Sequence, residues 1–168
     1  MKEKINARPI AERRQLASID ELMPLICERL KTGQSVKLSP RGISMLPMLR
    51  EGIDSVVLSP VFDRLKKYDI PLYRRPNGQY VLHRIVKVTG EGYTCVGDNQ
   101  YRREHGVAHE NVVAVVTAFT RGDRVYDVSA FSYRIYCCIW HWTRFPRHAG
   151  RAVKRRLIRV FKHKNKKG

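Results

Sequence analysis

A chain of 168 residues, 43% hydrophobic and 29% charged, fits one folded domain with extensions and excludes disorder throughout. Lys and Arg number 33 against 15 Asp and Glu, a net charge of +18, and +12 of it lies after Asp127, where no acid occurs. Such an excess favours polyanionic partners, either nucleic acid or an anionic membrane, and assigns that question to the C-terminal end.

In chain order, the opening MKEKINARPIAERRQL is polar and lacks the apolar core of a signal peptide. Ser18 followed by Glu21 reads as a capping box, and Leu22, Leu25, Ile26 and Leu30 recur at helical spacing up to Gly33. Pro24 is compatible with that amphipathic helix only in or near its first turn. From Val36 the period changes toward two. Short apolar runs at 36–38, 55–58, 70–73, 80–88, 93–96 and 112–119 alternate with Gly, Asn, Asp and Pro, which predicts a mainly β core over 36–128.

Residues 1–35 are then an N-terminal extension with a helix, and 129–168 a basic, aromatic, helical tail. In the tail Ala149, Val153, Leu157, Val160 and Phe161 form one helical face among Arg and Lys, preceded by Tyr133, Tyr136, Trp140, Trp142 and Phe145. This pattern suits peripheral attachment to an anionic membrane surface. The longest apolar region, 130–145, is interrupted by Arg134, His141 and Arg144, and no run approaches the ~18 uncharged apolar residues of a span. A cytoplasmic or peripheral-membrane protein is the expectation. Cys27, Cys95, Cys137 and Cys138 have no metal-ligand spacing and read as reduced thiols; no metal or cofactor is implied.

Three segments carry chemistry. Ser44, in Arg41-Gly-Ile-Ser-Met-Leu-Pro-Met-Leu, lies two residues after Gly42 and three before Pro47, on a constrained turn whose backbone N–H groups can face a carbonyl. His83 shares a strand face with Val81 and Ile85, opposite Tyr80, Leu82, Arg84 and Val86, so that partial burial keeps its imidazole neutral, as a general base requires. Gly97-Asp98-Asn99 follows the strand at 93–96, where Asp98, or Glu104 a few residues on, is available to orient an imidazolium. Taken singly, each reads as a structural feature: a turn serine, a core histidine, a good turn.

In order and spacing, G-I-S-M-L-P-M-L, V-L-H-R-I-V-K-V and Y-T-C-V-G-D-N resemble the type I signal peptidase family and its relatives, which include the self-cleaving domains of SOS repressors. The His in H-R-I is similar to the archaeal and endoplasmic-reticulum type, which pairs Ser with His where the common bacterial type pairs Ser with Lys. The resemblance spans residues 36–118. It implies a signal-peptidase-like β core and a serine endopeptidase that cleaves precursor peptides with small residues at P1 and P3, held as an extended strand.

The same resemblance implies Ser44 as nucleophile, His83 as base and Asp98 as the nearby acid, with Gly42, Met45 and Pro47 shaping the nucleophile turn. Glu104 is the alternative acid, because the second Asp of the endoplasmic-reticulum type has no counterpart in Gln-Tyr-Arg-Arg-Glu-His. Lys87 is an alternative base, about 13 Å further along an extended strand. The chain also departs from the family's Ser-Gly-Ser-Met, whose first Ser helps form the oxyanion hole, and carries none of its membrane-spanning segment. A non-catalytic interaction module on the same fold and a basic nucleic-acid-binding regulator are the competing expectations, although about 35 residues before the core leave too little for a helix-turn-helix module.

Overall fold

The computed structural model describes residues 19–147 and Gly150. Among the described residues the protein is mostly β, with two antiparallel sheets, two α-helices of 13 and 12 residues and a short 3₁₀ helix at His109–Asn111. Helix α1 (Ile19–Lys31) is followed by β1 (Val36–Leu38), β2 (Ser55–Ser59), β3 (Pro71–Arg74), β4 (Tyr80–Leu82), β5 (Arg84–Thr89), β6 (Gly92–Val96), β7 (Glu104–Val107), β8 (Val112–Arg121), β9 (Arg124–Asp127) and helix α2 (Phe131–Trp142). The first sheet runs β1-β2-β8-β3-β4, with β9 also on β8; the second runs β5-β6-β7. The long β8 organises the first sheet, pairing β2 through Val115 to Thr120 and β3 through Val112 to Val115.

The alternating pattern at 80–88 resolves into two strands rather than one. The chain leaves the first sheet after Leu82, passes through His83 and joins the second sheet at Arg84. Both faces are covered at this crossing. Val81 and Ile85 pack with Leu65, Tyr73, Tyr93, Cys95 and Val107, whereas Tyr80 and Leu82 pack on the larger core of α1, β2, β8 and α2. A buried His and a buried Arg at the seam are therefore held by opposite cores.

Two further strands differ from the sequence reading. β7 is Glu-His-Gly-Val, too polar and short to register as a strand, and it forms because β6 presents a partner edge. β9 has no buried residue and is held by its ladder to β8. In α1, Pro24 sits beyond the first turn on an exposed face, so the helix tolerates a missing N–H where the sequence argued against one; Met23, Ile26 and Leu30 on its other side are buried. The Ser18 cap lies outside the described residues.

Helix α2 is part of the folded unit. Tyr133 and Cys137 are buried in the larger core, so the expected boundary at 128/129 does not separate this stretch from the β core. The amphipathic stripe expected from Ala149 to Phe161 lies outside the described residues. Among the described residues, no helix is long and apolar enough to cross a membrane.

Candidate active site

Ser44 opens a short helical turn. Leu46 N–H donates to the Ile43 carbonyl at 3.3 Å and Leu49 N–H to the Met45 carbonyl at 3.0 Å. Gly42 enters this turn at φ +83°, a conformation that favours glycine, and the Leu46–Pro47 peptide is cis. Met45, Met48 and Leu49 sink into the larger core and fix the turn from below, leaving Ser44 half-buried above. A cleft of about 220 Å³ is lined by Gly42, Ser44 and Met45 on one side, Gln79 to His83 on the other, and Arg75 and Gln100 at its ends.

His83 is only 2% exposed. Its Nδ1 lies 3.1 Å from Glu104 Oε1 and 3.3 Å from the Tyr73 hydroxyl. Arg75 grips the same carboxylate, its Nε donating to Oε2 at 2.8 Å and a terminal nitrogen to Oε1. Burial works against ionisation of Glu104, yet the hydrogen bonds from Arg75 and Tyr73 and the nearby imidazole prevail and hold its carboxyl below the ordinary range. An ionised carboxylate only accepts, so the proton on neutral His83 belongs on Nδ1 and the lone pair on Nε2. Burial, opposed by Glu104, also lowers the imidazole below its usual 6.5 and keeps it neutral near pH 7.

The free Nε2 faces Gly97. A Cβ built on Gly97 would stand 3.1 Å from that nitrogen and 2.6 Å from the Ser44 carbonyl oxygen, so the 97–100 turn passes directly against both residues and only glycine fits. Asn99 then clamps the serine turn: its N–H donates to the Ser44 carbonyl at 2.8 Å and its side-chain amide to the Ile43 carbonyl at 3.0 Å.

Asp98 does not meet the imidazole, which corrects the expectation that it is the orienting acid. Both its oxygens are taken by Arg84, at 2.8 Å from Nε and 2.7 Å from a terminal nitrogen. Arg84 is fully buried and also donates to the Tyr133 hydroxyl at 2.7 Å, to Cys137 Sγ at 2.9 Å and to Met48 Sδ at 2.8 Å. Burial opposes its charge, but Asp98 outweighs burial and raises the guanidinium above its ordinary value. The structure thus brings Ser44, His83 and Glu104 together, with Gly42, Met45 and Pro47 in the turn, and uses Asp98 to anchor the loop that holds Ser44. Lys87, the alternative base, is exposed beyond a bulge at 85–87 and does not line the cleft.

Sequence reasoning passed over Tyr73 and Arg75. Their signal is position: Tyr73 pairs with Val81, two residues before His83, and Arg75 directly follows β3 with its N–H donating to the Gln79 carbonyl, so both lie across from the segment that leads to the candidate base. No family model matches the chain, and neither a curated protein nor a solved structure shows significant similarity to it.

Proposed function

We propose that the protein is a serine endopeptidase of the signal-peptidase type, with Ser44 as nucleophile, His83 as general base and Glu104, in place of Asp98, as the acid that orients the imidazole. The observation that carries this reading is the polarity of His83: Nδ1 is committed to Glu104, and Nε2 is directed at the turn beside Ser44, within one cleft. The Ser44 hydroxyl adds to the scissile carbonyl as its proton passes to Nε2. The carbon–nitrogen bond then breaks, with that proton delivered to the departing amine. Water, deprotonated by the same nitrogen, attacks the acyl-enzyme and restores the serine. Backbone N–H groups of the serine turn, that of Ser44 among them, serve as the oxyanion hole.

The fold suits an extended substrate. β4 lies at the end of its sheet, paired on one side by β3, and the cleft runs along it. A peptide that adds to this edge would be held by main-chain hydrogen bonds, with alternate side chains in the groove. A second hollow of about 470 Å³ between α1 and β4 shares Pro40, Arg41, Gln79, Tyr80 and Leu82 with the cleft and extends the groove. Precursor peptides with small residues at P1 and P3 are the proposed substrates.

The test is labelling by a serine-directed peptidyl phosphonate together with cleavage of a peptide library. Wild type should be labelled at Ser44, and Ser44→Ala and His83→Ala should each lower turnover on the order of 10⁴-fold with the fold retained. Absence of labelling and of cleavage in a folded wild type would leave the non-catalytic interaction module as the better reading.

A further inference from the structure

Helix α2 has two working faces. Tyr133 and Cys137 are buried, and Tyr136 stacks between Tyr133 and Trp140 on the inner side. On the outer side Phe131, Ile135, Ile139, Trp142 and Phe145 recur at spacings of three and four and are exposed, Phe131 to 79%, Trp142 to 83% and Phe145 to 74%. Of the aromatics expected at an interface, only Trp142 and Phe145 therefore face outward.

At the C-terminal end of this ridge lies a cavity of about 490 Å³, walled by Arg102, Arg103, Arg144, His105, His141 and the two outward aromatics, with Tyr101 completing it and no carboxylate in its lining. Its cations crowd one another. Burial and then Arg103 lower the Arg144 guanidinium, and burial, Lys67, Arg103 and Arg144 lower His141. Arg144 is fixed in place by donating to the carbonyls of Gln100, at 2.9 Å, and Tyr101.

We propose that the outer face of α2 and this cavity together dock the protein on an anionic lipid bilayer, with Trp142 and Phe145 among the acyl chains and a headgroup phosphate between Arg103 and Arg144. Charge complementarity selects the occupant. The cavity needs a compact anion, and the adjoining ridge needs an apolar medium at the same level; an anionic phospholipid surface supplies both. The chain's own residues 151–168 are excluded, since they carry nine Lys and Arg and no acid and would add to the repulsion. Nucleic acid or an acidic polypeptide satisfies the cations and leaves the aliphatic ridge in water.

The surface is independent of the peptidase reading, and binding is measured without turnover. The full chain is mixed with phosphatidylcholine vesicles, with and without one-quarter phosphatidylglycerol, and with vesicles brominated in the acyl chains. Wild type should partition onto the anionic vesicles and show bromine quenching that disappears in Trp142→Phe. Arg103→Ser should weaken partitioning about fivefold and Trp142→Ser with Phe145→Ser on the order of tenfold or more. All these side chains are exposed or line the cavity, so folding, checked by circular dichroism, is preserved. Partitioning that matches wild type in every variant would assign attachment to the basic residues at 151–168 and overturn the proposal. It is equally overturned by absence of quenching, or by binding to single-stranded RNA or polyglutamate that the same variants abolish while anionic vesicles are ignored.

Discussion

His83 has two nitrogens with unequal neighbours, and its protonation should be read in both activity and stability. Because burial lowers the imidazole below 6.5, kcat/KM should rise with pH through an apparent pKa under that value. Glu104 pulls the imidazole upward, so Glu104→Gln should move this limb to still lower pH while cutting turnover on the order of 10³ to 10⁴, as expected of an orienting acid. A pH–rate profile of the two proteins checks both parts; an unmoved limb with unchanged turnover would remove Glu104 from the mechanism. For stability, the folded imidazole is depressed, so in the window just below 6.5 the unfolded chain binds a proton that the native site refuses. Stability from this group is complete above 6.5 and falls as pH drops through the folded value. Glu104 has the same sign in a lower window, beginning near 4.5.

The turn at Gly97 to Gln100 is the element that joins the site to the core. One side clamps the Ser44 and Ile43 carbonyls through Asn99, and the other is fastened by Asp98 to Arg84. Removing one member of a buried charge pair leaves the other uncompensated, so Asp98→Asn should cost about 3–5 kcal/mol. For a chain of this size that lowers Tm by roughly 10 °C. Thermal unfolding of Asp98→Asn beside Glu104→Gln separates the two acids: the first should lose stability, the second activity. A stable Asp98→Asn with abolished turnover would restore Asp98 as the acid at the imidazole.

At this scale the sequence was legible where pattern and packing agree. The apolar runs at 36–38, 55–58 and 93–96 became β1, β2 and β6 nearly residue for residue, because each has a core on at least one face. The break at His83 was illegible, since a chain that crosses between sheets keeps its alternation while changing partners. Ser44 and His83 were singled out by the order and spacing of their motifs, since each alone reads as a structural residue. The assignment of Asp98 and Glu104 was not legible in this way, because which carboxylate reaches the imidazole depends on β7, whose four residues carry no strand signal, and on Arg84, whose burial a basic residue in an alternating run does not announce.

Across the whole molecule, α2 is structural inward and free outward, and this separates two properties that the basic C-terminal composition runs together. A chain ending at Asp127 loses Tyr133 and Cys137 from the larger core and leaves the Arg84 guanidinium short of two of its acceptors. It should therefore bind a hydrophobic dye and lose near-ultraviolet circular dichroism, instead of behaving as a folded core without its tail. A sharp, cooperative unfolding transition in that truncated chain would show that α2 is dispensable to the core.

The acceptors that α2 brings to Arg84 lie 49 and 53 positions further along the chain. A chain synthesised from its N-terminus at about 5–20 residues per second thus makes Arg84 several seconds before the residues that complete its shell. Until α2 is made, the Arg84–Asp98 anchor has only part of its hydrogen-bonding shell. Closure of the seam is in this sense a long-range event along the chain: the shell around Arg84 is complete only once α2 has been made.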